Sequence, residues 1–299
     1  MFLLALICFL QPPSYAARNP EGRYLNVVKK MQSLEKSYPT FAHIFSIGQN
    51  DDKEEIFAMR VGTNPGIMDP TKIGQIVVST HHGNELGAPD FTMGFLENLL
   101  KRYAGEELWR GKLADQEWTI VPVLNISGYN ANQRQEHGVD PNRDYPGPCH
   151  SYPTGKLKSI QRVMETLKSR SFTGSVTVHG YDGSFSYPWG LYVDNYKTLD
   201  DNIYDSLFAK AAAVNHYRSG NGALLIYPAN GCYEDFIYWK YGSWSLLLEL
   251  QDGEAEDVNM TVPAIAHYFD LLDSSPSMKN TFNVKCVPED RRGPDLRVE

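Results

Sequence analysis

Gln75-Ile76-Val77-Val78-Ser79-Thr80-His81-His82-Gly83-Asn84-Glu85 passes from a β-branched apolar run into a polar loop, and a helical pattern follows. Gln75 to Ser79 reads as a short strand buried on both faces. Pro89, in the first turn, suits the start of a helix running to about Arg102, with Phe91, Phe95 and Leu99 as its buried stripe. The loop between them carries an imidazole and a carboxylate three residues apart, His82 and Glu85. That pair offers two ligands to one divalent cation, zinc first. His81, beside His82, is an alternative ligand. A lone His-x-x-Glu spacing also arises by chance or as a helix cap, so the rest of the chain decides its meaning.

Working outward, Tyr24 to Tyr38 has helical spacing, and Ala42 to Ile47 and Glu55 to Val61 read as strands joined by a polar turn at 49–53. Downstream, Trp118 to Leu124 is a strand, followed by a long polar connection over 125–154. Connections of that length are functional or disordered. Leu157 to Leu167 is helical, and Ser175 to Val178 is a strand ending at His179. Ile203 to His216 is helical, Ala223 to Tyr227 and Trp244 to Leu250 are strands, and Val262 to Leu272 marks a last helix. Strands alternating with helices predict an α/β fold: a mixed, largely parallel twisted sheet flanked by helices. The polar motifs fall just after strands, the edge where open α/β sheets bind ligands.

The 299 residues, 42% hydrophobic and 12% aromatic, suffice for a sizeable core. No repeat or linker divides them, so one compact domain is expected. A formal charge of −8 argues against a nucleic-acid partner. Phe2 to Leu10 is apolar but far short of the roughly 20 residues of a membrane span. Followed by Ser14-Tyr15-Ala16, it suits a secretory signal peptide cleaved after Ala16, although no Lys or Arg precedes it. A buried N-terminal strand is the alternative. No stable membrane insertion is expected, and a secreted or periplasmic setting follows. Cys8 leaves with the leader, so Cys149, Cys232 and Cys286 allow one internal disulfide and one free thiol. Asn125-Ile126-Ser127 and Asn259-Met260-Thr261 are formal glycosylation sequons, the first discounted as a strand end.

A zinc hydrolase needs three protein ligands, a general base and cationic help for a developing oxyanion. His179, at the end of another strand, fits the third ligand. His43, His137, His150, His216 and His267 lack such a setting. In Gly138-Val139-Asp140-Pro141-Asn142-Arg143, the Arg143 fork suits a carboxylate, Asn142 adds an amide, and Asp140 can orient a ligand histidine. Glu249, inside the apolar run Leu246 to Leu250, is costly unless paired or raised in pKa, and a raised pKa is what a general base requires.

These blocks resemble the zinc carboxypeptidases of the funnelin (carboxypeptidase A-like) family over about residues 22–273. The shared features are Tyr38-Pro39, His82-x-x-Glu85, Gly138-Val139-Asp140-x-Asn142-Arg143, His179, Tyr187-Pro188-x-Gly190, Ile226-Tyr227 and Glu249-Leu250. Carboxypeptidase A is itself the standard example of the two-His-one-Glu site. By this resemblance the fold is a carboxypeptidase-like α/β/α sandwich, with a leader at 1–16, a catalytic domain at 17–275 and a polar tail at 276–299. One zinc per chain is bound by His82, Glu85 and His179, and Glu249 activates water and passes its proton to the leaving amine. Asn142, Arg143 and Tyr227 clamp the substrate's terminal carboxylate. Arg134, a looser match, polarises the scissile carbonyl, and Asp140 orients His82. Glu234 falls at the position that faces the terminal side chain, with Ala229 and Leu247 as walls and space left by Gly190. A buried carboxylate there prefers a cationic residue: Lys, Arg, or an amino-bearing residue of the diaminopimelate type in a cell-wall peptide. An apolar pocket with Glu234 turned outward is the competing expectation.

Three departures keep other readings open. Asn84 stands where relatives carry Arg, and His-Gly-Asn-Glu also occurs in the aspartoacylase and succinylglutamate desuccinylase branch, which deacylates amino acids. The usual Asn-Pro-Asp-Gly is Asn125-Ile126-Ser127-Gly128 here, and there is room for neither a long pro-domain nor a C-terminal β-sandwich. The expectation is a monomeric enzyme acting on peptide or protein C-termini. The alternatives are an N-acyl amino acid deacylase and a catalytically silent zinc-containing binding protein.

Overall fold

The short β-branched runs of the sequence become the middle of one sheet. The computed structural model describes residues 21–150, 154–272, 282 and 284–289. Among them, β1 (Ala42–Gln49), β2 (Glu55–Val61), β3 (Ile73–Ser79), β4 (Gln116–Val121), β5 (Phe172–Gly180), β6 (Ser184–Tyr187), β7 (Arg218–Asn221) and β8 (Trp244–Leu250) pair in the order β1-β2-β4-β3-β5-β8-β6-β7. Four central strands, β4, β3, β5 and β8, run parallel, and β2 and β6 pair antiparallel to them at the two sides. The expected mixed, largely parallel sheet is therefore what forms.

Helices α1 (Gly22–Ser37), α2 (Gly87–Gly105), α3 (Glu107–Asp115), α4 (Ile126–Ala131), α5 (Lys158–Ser169), α6 (Asp201–Asn215), α7 (Gly222–Leu225), α8 (Tyr233–Tyr241) and α9 (Ala255–Asp270) flank it. Successive side chains of a strand point to opposite faces, and β5 shows what each face meets. A Cβ on Gly174 would stand 2.4 Å from Leu272 and 3.1 Å from Phe269, so that face is filled by α9 and the turn after it. Ser175, on the opposite face, donates its hydroxyl to Tyr233 of α8 at 2.9 Å. Thr177 and His179 share the α8 face. On the α9 side, Phe95 of α2, Trp118 of β4 and Phe269 meet with ring centroids 4.6–6.0 Å apart, and the Trp118 Nε1–H donates to Tyr103 Oη at 2.8 Å. Burying rings of this size contributes a few kcal/mol each, with the indole nitrogen satisfied.

Several boundaries differ from the sequence expectation. The strand expected over Trp118–Leu124 stops at Val121, because Pro122 has no N–H to continue a ladder. Ala223–Tyr227 is no strand: Asn221 accepts from Ala223 N and Leu224 N and caps the short helix α7. Helix α3, strands β6 and β7, and α8 carry too short or too uniform a pattern to stand out in the sequence. The polar connection over 125–154 holds α4 and a 3-10 turn at Pro141–Arg143.

One disulfide joins Cys149 to Cys286, leaving Cys232 a buried free thiol. It ties residues 284–289 alongside 192–194, where Val287 N donates to Tyr192 O and Asp194 N to Lys285 O, both at 2.9 Å. The leader expected at residues 1–16 and most of the polar tail at 276–299 lie outside the described residues. Asn125 is fully buried, whereas Asn259 is exposed on α9.

Candidate active site

The parallel register brings the carboxyl ends of β3, β5 and β8 to one edge, with His179 opposite Glu249 and Glu249 opposite Ser184. Beyond β3 the chain turns sharply: Thr80 adopts a left-handed backbone (φ +61°) and donates its hydroxyl to Pro122 O at 2.9 Å. Asn125 then stitches the loop, its Nδ2 donating to His81 O and Arg134 O, both at 3.1 Å. Gly83 lies flat on the backbone of residues 128–133. His82 and Glu85 flank that contact just ahead of α2.

The loop brings His82 Nδ1 to 2.7 Å from Glu85 Oε1. His179 Nδ1 lies 2.9 Å from Glu85 Oε2 and 3.1 Å from His82 Nδ1. Ligand atoms of all three buried residues fall within 4.8 Å of one another. The Nε2–H of His82 donates to Asp140 Oδ1 at 3.0 Å, which turns the Nδ1 lone pair into the cluster. Two imidazole nitrogens and a carboxylate converging on one point form a donor set that fits zinc. Burial alone would raise Glu85, but His179 and His82 outweigh it and hold the carboxyl at about 2. His81 stands apart, since its nitrogens face Tyr145 and Thr177 rather than the cluster. His43 and His137 pair with surface carboxylates, Glu35 and Asp52.

The other expected residues line the same cleft, a cavity of about 220 Å³. Arg134 reaches Asp140 Oδ2 with Nε and Nη2, both at 3.0 Å, and its Nη1 is 3.9 Å from Glu85 Oε1. Arg143 donates to Tyr227 Oη at 3.1 Å and approaches Cys232 Sγ at 3.4 Å. Asn142 faces inward, its Oδ1 accepting from Tyr233 N at 2.8 Å, so Arg143 and the half-exposed Tyr227 are the freer groups at the mouth. Glu249 is partly buried on β8. Burial, then the charges of Glu85, Asp182 and Glu234, push its carboxyl well above the usual range, with Arg134 opposing. Glu234 and Asp235 occupy the first turn of α8. Asp235 accepts from Gly190 N with both oxygens, at 2.9 and 3.1 Å, whereas the buried Glu234 keeps Oε2 without a partner. Ala229, Leu247 and Gly190 line the same wall. The cleft also takes in Tyr181 and Ser186, which the sequence did not mark. Tyr181 accepts from Gly87 N at 2.9 Å, a long-range contact with no local signal.

Between Arg134 and Asp140, Glu136 is fully buried, with Oε2 accepting from Ser159 Oγ at 2.5 Å and Oε1 unpartnered. Burial, with Asp51 and Asp52 adding and His137 opposing, raises it from 4.5 to about 7. Because the folded pKa lies above the unfolded one, the native state keeps a proton the unfolded chain releases. Stability therefore falls as pH rises from about 4.5 to about 7, by roughly 3 kcal/mol at most. Glu136→Gln keeps the shape and removes this term. Urea unfolding should find the variant more stable than the parent at pH 8, with the gap closing at pH 5. An equal gap at both pH values would contradict the raised carboxyl.

A sequence profile of the zinc carboxypeptidases (peptidase M14) matches residues 27–270. The chain belongs to the zinc carboxypeptidase family. Among curated relatives, carboxypeptidase B of Canis lupus familiaris is 26% identical over 270 residues, 77% of this chain and 63% of that protein. Carboxypeptidase D of Anas platyrhynchos is 23% identical over 185 residues. That match takes 57% of this chain and only 13% of the duck protein, so the chain spans a small part of such relatives. Carboxypeptidase A from Helicoverpa armigera superposes with a TM-score of 0.72 at 15% identity, covering 84% of this chain and 73% of that one. Bovine thrombin-activatable fibrinolysis inhibitor, solved with a tick carboxypeptidase inhibitor, gives 0.70 at 18% identity over 83% and 95%. Identities this low speak for the fold alone. No described helix of this zinc carboxypeptidase family member is long and apolar enough to cross a membrane.

Proposed function

We propose that this chain is a secreted zinc carboxypeptidase that removes one C-terminal residue, with Glu234 favouring a cationic one. The observation that carries the reading is the convergence of His82, Glu85 and His179 beside Glu249, Arg134 and Arg143 in one cleft. His82 Nδ1, His179 Nδ1 and the Glu85 carboxylate would hold the zinc. Bound there, the ion supplies a Lewis acid that polarises a carbonyl and makes water acidic near neutral pH. Arg143 and Tyr227, with Asn142 beside them, hold the terminal carboxylate and fix the peptide's register. Arg134 donates to the carbonyl oxygen as negative charge develops on it. Glu249 takes a proton from the attacking water and returns it to the leaving nitrogen. Glu234 supports the cationic preference, because an unpaired carboxylate at 7% exposure is costly until an ammonium or guanidinium pairs with it. The Cys149–Cys286 disulfide supports an oxidising, extracytoplasmic setting.

The test is turnover of N-blocked dipeptides ending in Arg, Lys, Phe, Leu or Glu, with and without a zinc chelator. Chelator-sensitive release of Arg and Lys is expected, and Glu234→Gln should lower it by about 10- to 100-fold, the worth of one charged contact. Release of Phe or Leu instead would keep the peptidase and discard the pocket. Hydrolysis of N-acyl amino acids in place of peptides would favour the deacylase, and zinc uptake without turnover a binding protein.

A further inference from the structure

Behind the cluster, a chain of buried polar groups leads away from His179. Its Nε2 is 3.2 Å from Thr177 Oγ1, which is 3.2 Å from His81 Nδ1, and His81 Nε2 is 2.9 Å from Tyr145 Oη. None of the four side chains is more than 1% exposed, and the rings of His81 and His179 stack with centroids 5.4 Å apart. Buried polar groups are costly unless satisfied, and these satisfy one another.

A hydroxyl both donates and accepts, and a neutral imidazole has one donor and one acceptor, so the chain has two self-consistent senses. In the first, His179 Nε2–H donates to Thr177, Thr177 to His81 Nδ1, and His81 Nε2–H to Tyr145. That leaves His179 Nδ1 as a bare lone pair facing Glu85. In the second sense every hydrogen points toward His179, and its Nδ1 carries a proton that bars a cation. His82 has no such freedom, because the Asp140 carboxylate beside its Nε2 only accepts. Asn142 Nδ2, 3.4 Å from His179 Nε2, is a donor that favours the second sense. The productive tautomer therefore needs the first sense, in which Thr177 accepts from His179 Nε2–H and passes its own hydrogen to His81.

We propose that Tyr145, His81 and Thr177 are positioning residues that set the tautomer and ring plane of His179 for its metal. The inference rests on the zinc reading above. Thr177→Val, equal in shape but without the hydroxyl, should weaken zinc binding by about 10- to 100-fold, and Thr177→Ser should restore it. Tyr145→Phe should weaken it less. The double variant Thr177→Val with Tyr145→Phe should bind no more weakly than Thr177→Val alone, since the link is already broken. Affinities come from competition of the metal-free protein with a chromophoric chelator, and the cobalt(II) absorption spectrum should shift in the same variants. Affinity of Thr177→Val within about twofold of the parent, or losses that multiply in the double variant, would overturn the relay alone. A parent protein that takes up no zinc would overturn the zinc reading and this inference with it.

Discussion

Glu249→Gln is expected to lower turnover by about 10³-fold while zinc uptake and folding stay intact. The amide keeps the shape of the side chain but cannot accept a proton from water. The effect should fall on kcat far more than on KM, because the proposed clamp for the terminal carboxylate, Arg143 with Tyr227, is a separate pair of side chains. The native carboxylate sits in a partly buried, negative setting with Glu85, Asp182 and Glu234 nearby, so the neutral variant should be at least as stable as the parent. Steady-state kinetics at saturating zinc, zinc stoichiometry and thermal unfolding check the three claims. Unchanged turnover would remove Glu249 from its role as base.

Gly83→Ala should disable the site by another route. A Cβ there would stand 2.0 Å from Gly128 C, 2.3 Å from Tyr129 N and 2.6 Å from Gln133 O, all backbone atoms that cannot rotate aside. Since carbon contacts settle near 3.5 Å, the loop must retreat by about 1 Å or more. His82 and Glu85 flank Gly83 and would move with it. A shift of that size costs on the order of 10²-fold in a positioned site, and overpacking of this kind destabilises by about 1–3 kcal/mol. Zinc affinity and melting temperature should both fall, whereas Gly66→Ala, with nothing within 4 Å of its added Cβ, should change neither. A variant that binds zinc like the parent would show that the loop relaxes freely.

The two residues differ in how far the sequence betrays them. Glu249 is visible because a carboxylate between Leu248 and Leu250 breaks the apolar run Leu246 to Leu250. Gly83 looks like any turn glycine, since its reason lies on a segment some 45 residues later in the chain. The same division holds for the fold. β3 and the start of α2 are legible from β-branched residues followed by helical spacing. α7 reads as a strand in the sequence, because Ala223-Leu224-Leu225-Ile226 is an apolar run whose helical turn is imposed by the Asn221 cap. Asn142 and Arg143 stand out as a pair, and both line the cleft, but packing separates their tasks: Asn142 Oδ1 is tied to Tyr233 N, whereas Arg143 reaches Tyr227 at the mouth.

By itself the sequence determined which residue types are present and the strand–loop–helix context in which each sits. It determined that His82 and Glu85 share a loop, because a spacing of three residues is local geometry. Only the tertiary structure decided that His179, 97 residues from His82, closes on the same point. Only it decided that Thr177 connects His179 to His81 and Tyr145, and that Glu234 keeps an oxygen free while Asp235 does not. The physical reason is that a strand fixes its own alternation, whereas pairing register and side-chain hydrogen bonds between distant segments are settled when the sheet is assembled and its faces are filled.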